Sequence, residues 1–145
     1  MTSPNGVLLW RGPSTLDGAP IVVVATALAH KSANDKTGDM VQTYILRRDV
    51  SPIEAVATGA DRAVCGDCPH RGGSCYVNIS QGPLVVWKAF KRGLYPRFSK
   101  RKHLDLFRRK PLRLGAYGDP CAAPLEAWRP ALAVAPARTG YTHQW

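Results

Sequence analysis

Three of the four cysteines fall within eleven residues, in Cys65-Gly-Asp-Cys68-Pro-His70-Arg-Gly-Gly-Ser-Cys75. A Cys-x2-Cys turn presents two sulfurs to one ion, while the amides between them face the thiolates. Gly72 and Gly73 give the chain freedom to bring Cys75 back to the same centre. The segment has few apolar residues to order it by burial, so it predicts a metal loop over residues 60–80. Cys121, which follows Gly118-Asp-Pro120, is the expected fourth ligand, with His70 as the alternative. Four closed ligands imply structural zinc, the default here. Three cysteines with an open position would instead suit a [4Fe–4S] cluster. The plainer alternative is four ordinary thiols, because cysteine is also a small core hydrophobe.

At 145 residues and 45% hydrophobic content, the chain is expected to be one domain, residues 1–145, with one core. No run approaches the roughly 18 apolar residues of a membrane span, and Ile21 to Leu28 fits a buried strand. Met1-Thr-Ser-Pro-Asn-Gly6 lacks a basic region followed by an apolar one, so a cytoplasmic, reducing location is expected. There, Cys-x2-Cys reads as metal or redox chemistry rather than a structural disulfide. Gly-Asp between the cysteines and Pro69-His70 after them favour a turn over the helix start of a thioredoxin-like motif.

The net charge of +10 is concentrated. Lys88 to Arg113 holds eleven Lys or Arg and one acid, Asp105, while the remainder is balanced. Such a stripe predicts a polyanionic partner: nucleic acid first, an acidic or nucleoprotein surface second. The candidate contacts are Lys88, Lys91, Arg92, Arg97, Lys100, Arg101, Lys102, Arg108, Arg109 and Lys110. Trp87, Phe90, Tyr95, Phe98 and Phe107 interleave with them, and Tyr95 and Phe98 are the candidates for stacking on bases.

The patterning predicts an α+β fold. Residues 1–50 read as β-rich, with antiparallel strands at Val7–Trp10, Ile21–Thr26 and Met40–Leu46. In the third, Val41, Thr43 and Ile45 alternate with Met40, Gln42, Tyr44 and Leu46. Ser51 and Glu54 form a capping-box pattern for a helix over Pro52 to Thr58. Residues 83–113 form a basic helical segment. Its first helix is amphipathic, starts at Pro83 and ends at Gly93, with Val85, Val86, Ala89 and Phe90 inward and Trp87 at the edge. Lys88, Lys91 and Arg92 face outward. Residues 112–145 suggest a βαβ-like element: strand Leu112–Tyr117, a Gly-Asp-Pro turn, a helix from Pro124, and strand Thr139–Trp145.

His30, His103 and His143 receive no role from the pattern. Asp119 is a catalytic candidate at a strand end, against the plainer reading of a turn residue. No Ser-His-Asp order, phosphate loop or carboxylate pair is visible.

Lys36-Thr-Gly-Asp-Met40, Gln42 to Arg47, Cys65-Gly-Asp-Cys68-Pro-His-Arg71, Cys75-Tyr-Val77, Gln81-Gly-Pro83, Leu112 to Pro120 and Thr139 to Trp145 form a further pattern. Together they resemble an uncharacterised bacteriophage and prophage protein family. Longer members of that family continue beyond the final aromatic strand, with more cysteines, so the resemblance implies a short form or a fragment. The order of cysteine loop, Gly-Asp-Pro strand end and aromatic strand is also loosely similar to radical-SAM-like iron–sulfur phage proteins, although their Cys-x3-Cys-x2-Cys spacing is absent. That likeness would place a cluster on Cys65, Cys68 and Cys75, without Cys121.

The expected function is a small phage-type protein whose cysteine metal site, zinc or iron–sulfur, orders a basic surface for nucleic acid or a nucleoprotein target. One alternative is the N-terminal part of a radical-SAM-like enzyme. Another is a phage inhibitor acting in the host cytoplasm on a nucleic-acid-processing or defence protein. Catalytic residues, host target and oligomeric state are not specified by the pattern.

Overall fold

A computed structural model describes residues 4–29, 39–66, 82–140 and 142. One mixed sheet contains five strands in chain order: β1 Val7–Pro13, β2 Pro20–Thr26, β3 Val41–Arg47, β4 Leu112–Tyr117 and β5 Arg138–Gly140. β1, β2 and β3 pair antiparallel, whereas β3–β4 and β4–β5 pair parallel. The chain is α+β, with three antiparallel strands first and a parallel strand–helix–strand unit last.

Burial explains the order. Ile21 to Ala25 of β2 are fully buried in succession, so both faces of the sheet are covered there. β3 is also covered on both sides, because Val41, Gln42, Thr43, Ile45 and Leu46 are all buried. Its Thr43 hydroxyl donates to Arg113 O at 2.7 Å and accepts from Gly115 N at 2.8 Å. These bonds stand where the β3–β4 register shifts, between Gln42 and Tyr44.

The β3–β4 crossover contains α1 Pro52–Thr58, α2 Arg62–Cys65, α3 Gly82–Lys91, α4 Lys100–His103 and a 3-10 turn, Leu104–Arg108. The Ser51 hydroxyl accepts from Glu54 N at 3.2 Å, which is the Ser51 half of the predicted capping box at the start of α1. Gly93, at φ 74°, follows α3 in the left-handed region that favours glycine. Between β4 and β5 lie a 3-10 turn, Pro120–Ala122, and α5 Leu125–Val134. No helix among the described residues is long and apolar enough to cross a membrane.

α3 differs from its expected orientation in one respect. Val86 and Ala89 are buried, but Val85 is 63% exposed. The Trp87 indole N–H donates to Arg47 O at 2.9 Å, which turns the buried arc toward Trp87 and leaves Val85 outside.

Strand direction defines two edges. β1, β3, β4 and β5 run the same way, so their carboxyl ends share one edge. The end of β2 lies at the opposite edge, with the starts of β1 and β4.

Candidate functional site

The carboxyl edge gathers the chemically distinctive turns. Ser14 and Thr15 follow β1, and Asp119 and Cys121 follow β4. Thr142 lies beyond β5. Cys65 ends α2, whose Val64 carbonyl accepts from Asp119 N at 2.6 Å. Two cysteines 56 positions apart therefore occupy backbone segments joined by a hydrogen bond. Cys65 is half-buried and Cys121 exposed. Cys68, Cys75 and His70 lie outside the described residues, as do His30 and His143. Among the described residues, no group of three or more His, Cys, Asp or Glu is placed to hold a metal ion.

The corner is built by local bonds. The Ser14 hydroxyl donates to Ala63 O at 2.6 Å, Thr15 N to Ala122 O at 2.9 Å, and the Thr15 hydroxyl to Cys121 O. Asp119 is buried and caps the 3-10 turn, its Oδ1 accepting from Cys121 N at 2.9 Å. The same oxygen accepts from the Thr142 hydroxyl at 2.7 Å, and that hydroxyl lies 3.3 Å from Cys121 Sγ. The geometry gives Asp119 the turn role. Ser14, Thr15 and Thr142 were not singled out by the sequence. Their only signal was the pairing of small hydroxyl residues with glycine at strand ends.

Gly118 makes this turn possible. At φ 86°, a Cβ there would lie 2.8 Å from Ile45 Cβ and 2.9 Å from Ile45 O. Beside it on the edge, Arg47 meets both Asp49 oxygens at 3.0 Å, and this bond holds the Asp49 carboxyl below its ordinary pKa.

The basic segment runs from this edge toward the other. α3 begins near Tyr44, and its Trp87 reaches Arg47. After α3, Leu8 N donates to Pro96 O and Phe98 N to Leu8 O, both at 2.8 Å. These bonds fasten residues 96–98 along the outer edge of β1. Lys88, Lys91, Arg92, Arg97, Lys100, Arg101, Lys102, Arg108 and Arg109 are all exposed. Arg108 pairs with Asp105 at 3.0 Å. Lys110 differs from the other candidates: its half-buried ammonium pairs with Asp39 at 2.8 Å and donates to Ala27 O at 2.9 Å.

The aromatic candidates are used in packing. Phe107 is fully buried and meets Phe98 edge-on, with centroids 5.8 Å apart. The Tyr95 ring lies against Gly6, where a Cβ would fall 2.6 Å from it. Lys91 Nζ sits 5.7 Å from the Trp87 ring centroid. His103 is buried, its Nδ1 accepting from Ser99 N at 2.9 Å. Burial, then the Lys102 charge, lowers its pKa and favours neutral imidazole.

Arg97 adjoins Leu8, whereas Cys121 adjoins Thr15. The strand from Leu8 to Pro13 and the two residues after it separate these positions by roughly 20 Å. The cysteine corner and the distal basic arm therefore occupy opposite edges. No family model matches the chain, and comparison with curated proteins and solved structures finds no match.

Proposed function

We propose that this chain is a nucleic-acid-binding protein whose basic segment contacts phosphates, with a separate cysteine-based metal site stabilising the carboxyl edge. The observation that supports the reading is the exposure of nine cations on one segment tied to β1, with Asp105 its only acid. Phosphate contacts release condensed counterions, so binding weakens steeply with salt. Replacing Lys100, Arg101 and Lys102 together with Ala is expected to flatten the salt slope by about 2–3. Fluorescence anisotropy across a salt series checks this. A triple variant with the parent's affinity and slope would sink it. Binding that is instead captured from a host lysate with nuclease present would favour an acidic protein target.

For the metal, the donor chemistry supports zinc held by Cys65, Cys68, Cys75 and Cys121, or a [4Fe–4S] cluster on three of them. The adjoining Cys65 and Cys121 segments are the supporting geometry. Elemental analysis and a visible spectrum of protein purified without oxygen distinguish the two. Folded protein lacking both metals refutes the metal site.

A second reading has its own observation. Three parallel strands, β3 to β5, end beside Cys65 and Cys121, at the edge where α/β proteins gather cofactors. This favours the N-terminal part of a radical-SAM-like enzyme. Absence of S-adenosylmethionine binding after cluster reconstitution excludes it.

A further inference from the structure

The shape of α4 narrows the partner, on the reading that the basic segment binds nucleic acid. Lys100, Arg101, Lys102 and His103 are four consecutive residues of one helical turn. At about 100° per residue, Arg101 and His103 lie nearly opposite each other, and so do Lys100 and Lys102. His103 is buried and accepts from Ser99 N, which fixes the rotation of the turn. Arg101 therefore points away from the core, flanked on either side by an exposed lysine.

We propose that this turn straddles a groove of a nucleic-acid duplex, with Lys100 and Lys102 on phosphates of opposite strands and Arg101 between them. A helix with its side chains is about 10–12 Å across. The major groove of B-form DNA is about 12 Å wide, so the two flanks match two phosphate rows. A single strand offers one row and engages one flank at a time.

The aromatic residues point the same way. Single-strand binders combine cations with rings free to stack on bases. Here Phe107 is fully buried, Phe98 packs edge-on against it, and Tyr95 is half-buried against Gly6. Trp87 is half-buried and hydrogen-bonded to Arg47 O. What the arm offers outward is chiefly charge.

The test measures anisotropy with a labelled 20-bp DNA duplex and each of its separated strands, in the same buffer. The duplex is expected to bind at least about fivefold tighter, with the steeper salt slope that its higher charge density gives. Replacing Lys100 and Lys102 together with Ala should weaken duplex binding more than strand binding. Circular dichroism confirms that the variant is folded, and both lysines are exposed. Strand binding equal to or tighter than duplex binding overturns the groove geometry while leaving the nucleic-acid reading intact. No binding to duplex or strand at low salt overturns both.

Discussion

Single residues decide whether the carboxyl edge can form. Gly118 and Gly59 both have positive φ, 86° and 82°, but a Cβ at Gly118 meets Ile45 whereas one at Gly59 meets nothing within 4 Å. Gly59→Ala should therefore cost about 1 kcal/mol, the backbone penalty alone. Gly118→Ala adds overlap with a strand atom and a carbonyl, for about 2–4 kcal/mol. Urea unfolding of the pair checks the difference, and equal losses would contradict the packing argument. His103 supplies a pH dependence. Its folded pKa lies below the ordinary 6.5, so the unfolded chain takes up a proton first as pH falls. The stability of its neutral, buried form is complete above about pH 6.5 and is lost as pH falls through the depressed folded value. The urea midpoint of the parent should drop below pH 6.5, and His103→Asn, which keeps an acceptor for Ser99 N, should flatten that drop.

At the scale of elements, strands and caps were legible, whereas contacts between side chains distant in sequence were not. Ser51 specified the start of α1, and Gly93 the end of α3, because caps act within a single turn. The strand–helix–strand unit was legible from Gly118-Asp-Pro120 and its flanking apolar runs; residues 141 and 143–145 of its expected final strand lie outside the described residues. Val85 was misread because a helical wheel defines an apolar arc without saying which part of it meets the sheet. The Trp87–Arg47 bond decides that, between residues 40 positions apart. Thr43 was read only as one position in an alternating strand, yet it completes the β3–β4 junction. Thr43→Val keeps the shape but leaves Arg113 O and Gly115 N without their hydroxyl partner. The expected cost is about 2–4 kcal/mol, measured by thermal or urea unfolding. A loss below about 0.5 kcal/mol would mean that the junction holds without those bonds.

Across the whole molecule, strand direction sets Cys121 apart from the distal part of the basic segment. Cys65 to Cys75 and the basic segment are neighbours in sequence, which suggested a metal site ordering a cationic surface. The sheet instead puts Cys121 beyond the end of β1 and fastens Pro96 and Phe98 to Leu8 near its start. Roughly 20 Å lies between them. Perturbations at such a distance, without shared partners, combine nearly additively. If Cys121 is a ligand of the proposed metal site, Cys121→Ser should lower metal content and the melting temperature. Its affinity for nucleic acid and its salt slope should match the parent's at temperatures where both are folded. Conversely, the Lys100, Arg101 and Lys102 triple variant should retain the parent's metal stoichiometry while losing affinity. Metal analysis, melting and anisotropy on both variants and their combination form a double-mutant cycle. An interaction energy within about 0.5 kcal/mol is expected. A substantially larger value would mean that the metal site does organise the basic arm, with β1 and α3 as the elements that reach both ends of the sheet.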